Sequence, residues 1–325
     1  MKKTRILIAV LLAALAAGTL SACAGSSGSA GGDGTFQIGI IQLVEHPALD
    51  AAREGFIAAL RDEGIEAEFD YQNAQRDIPT LSTIAQRFVS NDVDLVLAIA
   101  TPSVQAMAAE TETIPIVGSA ITSYEQADVV LSNEAPRTNV TGTSDMNPVE
   151  AQINLILEFL PEMRTLGIIY STNEPNSVYQ AELARAVAES LGLSVEEGTV
   201  TTTGDVQQNT LSVAGRVDAI YIPTDNTHAD AMAVVSQVSI DTGVPVFPGE
   251  ENMVMGGGIA TLSVNYFELG YQSGLMAAEI LRGEGEPATM PIQFAQRYNY
   301  IVNGYMAEQL DITVPQRLIE YIELP

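Results

Sequence analysis

The 325-residue sequence lacks tryptophan and contains one cysteine and two histidines. A single cysteine cannot form a disulfide within the chain, and one thiol with two imidazoles gives too few soft ligands for a zinc or iron–sulfur centre. We therefore predict no metal and no cofactor. Lys and Arg number 14 against 41 Asp and Glu, a formal net charge of −27. Such a charge repels nucleic-acid phosphates at long range, so no nucleic-acid partner is expected.

Basic residues are concentrated at the N-terminus, which holds both lysines of the chain. Lys2, Lys3 and Arg5 precede an apolar run over residues 6–17. This order is typical of a signal peptide, and the run is shorter than the about 20 residues that span a bilayer. We predict that residues 1–22 are a lipoprotein signal peptide. All 11 cationic residues that remain are arginines.

The only cysteine, Cys23, follows the triplet Leu20-Ser21-Ala22. The pattern resembles a lipobox, so we predict that Cys23 carries the lipid, palmitate included, that anchors the protein to the outside of the cell membrane. Residues 23–35 are rich in Gly and Ser and behave as a flexible tether. The alternative is a secreted protein whose cysteine falls there by chance.

The remaining chain contains an internal repeat. Short β-branched runs alternate with helical spacing, the pattern of βαβ units on a parallel sheet. Three strand-like runs recur in the same order 124 to 130 residues further on: 36–42 with 165–170, 94–98 with 218–222, and 115–117 with 245–247. We predict an α/β fold of two Rossmann-like lobes. The predicted N-terminal lobe comprises residues 36–143 plus 261–292, and the C-terminal lobe residues 144–260 plus 293–325.

Polar residues follow the predicted strands in both halves. Ligands of open parallel sheets bind at the carboxyl ends of strands, so a polar cleft between the lobes is expected. The candidates from this pattern are Gln42, Glu45, His46, Thr101, Ser103, Thr122, Asn176, Ser177, Thr224, Asp225, Asn226 and Glu250.

The head group of an amino acid fits two of these places. The helix start at Thr101-Pro102-Ser103 can hold a carboxylate, and Asp225 on the other lobe can take an ammonium. The alternative is that Thr101 and Asp225 only cap helices. His46 has a similar alternative, capping or packing. The pair Glu250 and Glu251 resembles an acid/base site, but one of the two is expected to be a cleft-lining or hinge residue and not a catalyst.

Longer motifs give a family resemblance. The run from Gly39 to Phe56, with Ala98-Ile99-Ala100-Thr101-Pro102 and the run from Val217 to Asn226, resembles ABC-transporter substrate-binding lipoproteins that include tryptophan- and phenylalanine-binding members. The resemblance covers residues 36 to about 310. It implies a type I periplasmic-binding-protein fold with crossover strands between its lobes. It also implies ligand contacts from the positions already named and from Asn73 and Asp145.

The function that this resemblance implies is a non-enzymatic, monomeric receptor that closes on an amino acid, with an aromatic side chain expected, and delivers it to an ABC permease of the same membrane. Tyr124, Tyr170 and Phe247 are the aromatic residues expected near the cleft. The stretch from Gly118 to Tyr124 departs from the family pattern, which leaves a branched-chain amino acid or a peptide-like ligand open. A ligand sensor is the alternative within this fold. A secreted hydrolase is the alternative outside it, but no catalytic motif supports one.

Overall fold

A computed structural model describes residues 34–323, and from Thr35 onward the chain forms one compact unit. The predicted signal peptide, the predicted lipidation at Cys23 and nearly all of the tether lie outside the described residues. Within them, no helix has the length and apolar character needed to cross a membrane.

The strands and helices alternate along most of the chain, as the repeat predicts. The strands are β1 Phe36–Gln42, β2 Ala67–Asn73, β3 Leu95–Ile99, β4 Ile116–Ile121, β5 Val140–Ser144, β6 Thr165–Ser171, β7 Ser194–Val200, β8 Ala219–Ile222, β9 Val246–Pro248, β10 Ala260–Ser263, β11 Gln293–Phe294, β12 Asn299–Asn303 and β13 Ile322–Glu323. The helices are α1 Pro47–Asp62, α2 Ile78–Ser90, α3 Thr101–Glu110, α4 Val149–Phe159, α5 Pro175–Ser190, α6 Val206–Ala214, α7 Asn226–Asp230, α8 Met232–Thr242, α9 Glu251–Met255, α10 Tyr266–Leu281 and α11 Gly304–Gln309. Short 3-10 turns cover Thr203–Asp205, Pro287–Thr289 and Gln316–Tyr321.

The first lobe, called the N-lobe here, is built on a parallel sheet of order β11-β5-β4-β3-β1-β2. Strands β3 and β4 are buried along their whole length, which is typical of parallel strands covered by helices on both faces. Helices α1 and α10 pack closely on one another. A Cβ at Gly270 of α10 would lie 1.9 Å from the carbonyl oxygen of Ala52, so this approach requires glycine.

The second lobe, the C-lobe, carries a parallel sheet of order β7-β6-β8-β9. Its winding is that of β2-β1-β3-β4 in the N-lobe, which confirms the internal repeat and the two-lobed α/β fold. A second sheet, β10-β12-β13, lies beside it, and in it β10 pairs antiparallel with β12. Backbone contact between the sheets comes from the Ile259 amide, which donates to the Val246 carbonyl at 2.8 Å.

The chain passes between the lobes after β5, after β10 and between β11 and β12. Asn147, in the crossing after β5, is hydrogen-bonded to the crossing after β10, because its Oδ1 accepts from the amide of Val264 at 3.1 Å. The sequence placed residues 261–263 with the N-lobe, whereas in the structure they pair with β12. The exact lobe boundaries stay a prediction. The three crossings place the carboxyl ends of the two parallel sheets opposite one another.

Candidate functional site

A narrow cavity lies between the lobes at the carboxyl ends of their strands. Its lining residues are His46, Ala48, Leu49, Thr101, Ala120, Asp145, Asn176, Thr224, Asp225, Asn226, Ala229, Glu250 and Tyr266. A larger and more open cavity lies at the amino ends of β4 and β5, beside Pro115 and Asn139. The interlobe cavity is the candidate site because it alone of the two sits where parallel sheets bind ligands.

The N-lobe wall of the cavity is formed around the start of α3. Ala100, just before this helix, has φ 78°, and Ala120 at the end of β4 has φ 57°. A left-handed backbone at a residue with a Cβ is strained, and such strain concentrates at functional sites. Thr101 and Ser103 are buried, and neither hydroxyl has a hydrogen-bond partner. The first turn of α3 therefore offers two hydroxyls and the positive end of a helix dipole to an anion.

The C-lobe wall contains Asp225, whose carboxylate is occupied by groups of its own lobe. Its Oδ2 accepts from the Ser171 amide at 2.6 Å and from Ser177 Oγ at 2.5 Å. Its Oδ1 accepts from the amide and from Nδ1 of His228, both at 2.8 Å. Burial by itself raises the pKa of Asp225, but His228 and these donors outweigh it and lower the pKa below its usual value. Asp225 therefore caps α7 as an anion with its four acceptor positions filled.

Glu174 is a second buried carboxylate of the same wall. It accepts from the amides of Asn226 and Thr227 at 2.9 and 2.8 Å, and from the side chains of the same two residues at 2.6 and 2.7 Å. Burial, and then the neighbouring Asp225 charge, raise its pKa. Glu174 thus ties the loop after β6 to the start of α7.

Asp145 and Glu250 are further buried carboxylates, and both line the cavity. Asp145 accepts from Thr122 Oγ1 at 2.9 Å and from the Tyr266 hydroxyl at 3.0 Å, while Glu250 caps α9. Burial raises the pKa of Asp145, and it raises the pKa of Glu250 to about 7. Neither makes an ion pair with an arginine of the described chain. A cation entering the cavity would therefore meet two carboxyl groups that lack a counter-ion.

Four polar contacts join the lobes around the cavity, one of them from Nη2 of Arg76 to the carbonyl oxygen of Asn226 at 3.4 Å. Nε2 of His46 lies 2.9 Å from Oδ1 of Asn226, and Arg76 forms an ion pair with Asp230 at 2.8 Å. Nε2 of Gln180 in α5 lies 3.4 Å from Oγ1 of Thr122. Because these contacts cross from one lobe to the other, the structure shows the lobes closed on each other.

The structure brings most of the predicted site residues to this cavity. Those that line it are His46, Thr101, Asp145, Asn176, Thr224, Asp225, Asn226 and Glu250. Two more stand directly behind it, since Thr122 donates to Asp145 and Ser177 donates to Asp225. Ser103 is buried two residues into α3. Their roles as ligand contacts stay predictions.

Besides Ser103, Thr122 and Ser177, three predicted residues are absent from the cavity lining: Gln42, Glu45 and Asn73. The Gln42 side chain donates to Asp50 at 2.9 Å and accepts from Arg53. Glu45 is exposed and accepts from the Tyr71 hydroxyl, and Asn73 accepts from the backbone of Gln75. These contacts stabilise the loops after β1 and β2. A ligand contact from any of the three stays untested.

Two polar residues of the site, Glu174 and Gln180, are not among those predicted from the sequence. The aromatic residues that were predicted near the cleft do not line the cavity. Gln180 follows Asn176 by four residues, so helical spacing could have placed both on one face of α5. Glu174 precedes Pro175 and has no pattern that marks it. Tyr124, Tyr170 and Phe247 belong to the hydrophobic cores and do not line the cavity, whereas Tyr266 does.

The described residues contain no group of three or more His, Cys, Asp or Glu side chains placed to hold a metal ion. The site is therefore an enclosed polar cavity between closing lobes, with anion-binding groups on one wall and carboxylates around the other.

A family model described as "ABC transporter substrate binding protein" matches residues 37–323. The chain belongs to this family. As a substrate-binding protein of an ABC transporter it binds a small ligand, has no enzymatic activity and works outside the cytoplasm with the transporter's permease. This confirms the resemblance and the prediction that the chain is not an enzyme.

Two relatives are similar over nearly the whole substrate-binding protein. A protein named tyrosine-binding protein from Clostridioides difficile strain R20291 is 35% identical over 96% of this chain and 93% of its own length. An ABC domain from Streptococcus pneumoniae, solved in complex with L-Trp, is 33% identical, covers 90% of this chain and 99% of that chain, and has a TM-score of 0.86.

A third comparison bears on the closed arrangement. The ligand-free, open structure of a substrate-binding protein with adhesive properties from Clostridium difficile is 39% identical over 90% of this chain and 99% of that chain. Its TM-score is only 0.70. The substrate-binding protein described here thus superposes better on the L-Trp complex than on an open structure of higher identity, in agreement with the contacts between its lobes.

Proposed function

We propose that this substrate-binding protein is a lipid-anchored receptor of an ABC importer and that it captures an aromatic amino acid by closure of its lobes. One observation carries the proposal: residues of both lobes that line one cavity have buried polar atoms without a hydrogen-bond partner in the described part of the chain. These atoms are Thr101 Oγ1, His46 Nδ1 and Asn176 Oδ1. A buried polar atom without a hydrogen bond is costly, so these atoms are best explained as ligand contacts.

The two charged groups of an amino acid have different places in this proposal. The carboxylate binds at the start of α3, where the hydroxyls of Thr101 and Ser103 and the helix dipole favour an anion. The ammonium binds beside Asp145 and Glu250, which line the cavity without a counter-ion. Asp225 contributes its negative charge and shapes the wall, because its oxygens already accept hydrogen bonds within the C-lobe.

The aromatic side chain is supported by the relatives and by the apolar part of the wall. One relative is named for tyrosine, and a related domain was solved with L-Trp. The apolar lining consists mainly of small residues, Ala48, Ala120 and Ala229, with Leu49 and Tyr266. The alanine side chains project little from the wall, and Tyr266 offers an aromatic surface for a ring.

Ligand binding favours the closed state because each lobe supplies part of the contacts. A ligand bridging Thr101 on one wall and Glu250 on the other has more contacts in the closed form than in the open one. No chemical step is needed for capture and delivery.

The ligand is tested by a thermal-shift screen over the amino acids, followed by calorimetry on those that raise the melting temperature. We expect L-tyrosine, L-tryptophan or L-phenylalanine to give the largest increase. A larger increase from branched-chain or small amino acids, with none from the aromatic ones, contradicts the aromatic ligand.

The anchor needs a separate measurement, because it concerns residues outside the described structure. Mass spectrometry of protein isolated from membranes should find an N-terminal lipid-modified Cys23 with residues 1–22 removed. A chain that begins elsewhere or carries no lipid contradicts the anchor but leaves the ligand site untouched. Size-exclusion chromatography with light scattering tests the monomer that we also propose.

A further inference from the structure

The ring of His46 is held between the lobes in a way that determines which of its nitrogens carries hydrogen. Its Nε2 lies 2.9 Å from Oδ1 of Asn226. The orientation of the Asn226 amide follows from Glu174, since Nδ2 of Asn226 lies 2.6 Å from Glu174 Oε2, which also accepts the Asn226 backbone amide. A reversed amide would place two oxygens against each other. Oδ1 of Asn226 is therefore an acceptor, and Nε2 of His46 must donate to it.

The other nitrogen of the same ring then carries a lone pair. Burial, which outweighs the hydrogen bond to Asn226, lowers the pKa of His46 and so keeps the ring neutral. Nδ1 is buried, has no hydrogen-bond partner among the described residues, and belongs to a residue that lines the interlobe cavity. The ring thus presents a bare acceptor on the N-lobe side of the site.

His228, the second histidine, differs in this respect. Its Nδ1 lies 2.8 Å from Asp225 Oδ1, an acceptor, so this nitrogen carries hydrogen. The two histidines of the chain are therefore expected to differ at Nδ1, protonated in His228 and bare in His46. Because the chain has only these two histidines, their ring signals can be told apart in one spectrum.

We propose that His46 is a specificity-determining residue whose Nδ1 accepts a hydrogen bond from an N–H or O–H of the bound ligand. Asn226 and Glu174 are positioning residues, which fix the tautomer when the lobes close. The inference rests on the proposed function and narrows its ligand class to molecules that bring a donor to this acceptor. In an aromatic amino acid that donor is the ammonium, a phenol O–H or an indole N–H.

The first experiment measures affinities for ligands that differ by one donor. L-tyrosine, L-phenylalanine and 3-(4-hydroxyphenyl)propanoate are titrated into the wild-type protein and into His46→Leu by calorimetry. In the wild type, removing the donor that contacts Nδ1 should weaken binding about tenfold or more, because a buried acceptor loses its partner. In His46→Leu that difference should shrink to less than about threefold.

The ligand series identifies the donor. If phenylalanine binds the wild type more weakly than tyrosine and this difference disappears in His46→Leu, the donor is the phenol. If the propanoate binds the wild type more weakly than tyrosine and that difference disappears, the donor is the ammonium. If neither penalty changes in His46→Leu while L-tyrosine still binds, His46 accepts nothing from the ligand and the inference is wrong. If no aromatic amino acid binds the wild type, the proposed function is what fails.

A spectroscopic experiment tests the tautomer independently of any variant's affinity. Protein labelled with ¹⁵N-histidine is examined with ligand bound, and the His46 signal is identified by its loss in His46→Leu. We expect a neutral ring with hydrogen on Nε2, and we expect Asn226→Ala to abolish this preference. A His46 ring with hydrogen on Nδ1 in the complex overturns the proposal.

Discussion

The two walls of the interlobe cavity differ in how their polar groups are satisfied. On the N-lobe wall, the hydroxyl of Thr101 and Nδ1 of His46 have no partner. On the C-lobe wall, Asp225 and Glu174 each accept four hydrogen bonds from their own lobe. Among the described residues of this side, Oδ1 of Asn176, which lines the cavity, and Nε2 of His228, which does not, lack a partner. The N-lobe wall therefore has unpartnered polar groups available to a ligand. The carboxylates of the C-lobe wall are already hydrogen-bonded within their own lobe before a ligand binds.

Because of this difference, substitutions on the two walls should affect ligand affinity and protein stability separately. Removing a polar group from the N-lobe wall should reduce affinity with little loss of stability. Removing one from the C-lobe wall should unfold part of the lobe, because its partners stay buried and lose their hydrogen bonds. The variants below test this division.

The largest effect is expected for Asp225→Ala. The change removes the cap of α7 and leaves the Ser171 amide, Ser177 and His228 without their acceptor. The free energy of unfolding should fall by about 3 kcal/mol or more, measured by urea denaturation. Affinity should fall at least about tenfold as well. Unchanged stability with a lower affinity would show that this wall is not preassembled.

The double variant Thr101→Val with Ser103→Ala tests the opposite wall. Loss of two hydrogen bonds to a ligand carboxylate should weaken binding about 100-fold by calorimetry, at roughly 1.5 kcal/mol for each charge-assisted bond. The free energy of unfolding should change by less than about 1 kcal/mol, because neither hydroxyl has a partner in the described structure. A large loss of stability would mean that these hydroxyls serve the fold instead.

The third prediction concerns pH and Glu250. Burial raises its pKa from 4.5 to about 7, so the folded protein without ligand binds this proton more tightly than the unfolded chain does. The resulting stabilisation is complete below pH 4.5 and is lost as the pH rises through about 7. Between pH 5 and 8 the ligand-free protein should lose on the order of 2 kcal/mol of stability through this group.

Other groups titrate in the same interval, so the measurement compares variants. Burial raises the pKa of Asp145 and of Glu174 as well. The pKa of His46 is lowered from 6.5, so this group has the opposite effect: its contribution to stability is present above pH 6.5 and is lost as the pH falls. Glu250→Gln should flatten the dependence of melting temperature on pH. Glu251→Gln, at a half-buried neighbour, should retain most of it. Equal slopes in the two variants would exclude Glu250 as the source.

The smallest effect is expected at the ion pair between Arg76 and Asp230, which joins the rims of the two walls. Both side chains are partly exposed, so the pair contributes at most about 1 kcal/mol to closure. Asp230→Asn should weaken ligand binding about two- to fivefold at low ionic strength, and the difference should vanish in 1 M NaCl. An effect that persists at high salt would indicate a contact other than the ion pair.

Much of the fold was predictable because it is encoded in local patterns. The buried run of β3 and the repeat of β1 as β6 follow from composition and spacing. Positions such as Thr101 and Asp225 were found because every parallel strand presents its carboxyl end to the same edge of the sheet. The predicted ligand roles of Gln42 and Glu45 rest on that same edge, and that of Asn73 on the family resemblance. Their side chains instead contact residues of α1, of β2 and of the loop after β2.

The sequence by itself determined the acidic, lysine-free character of the chain after residue 22, the two α/β lobes and the edge on which the site lies. Each of these depends on residues close together in the chain or on a repeated pattern. Only the tertiary structure decided that Asp225 is saturated, that Glu174 orients Asn226, and that Asn226 fixes which nitrogen stays bare in His46, a residue that lines the cavity. Those outcomes depend on hydrogen bonds between residues far apart in the chain. His46 and Asn226, for example, are 180 residues apart, and spacing in the sequence does not show that they pair.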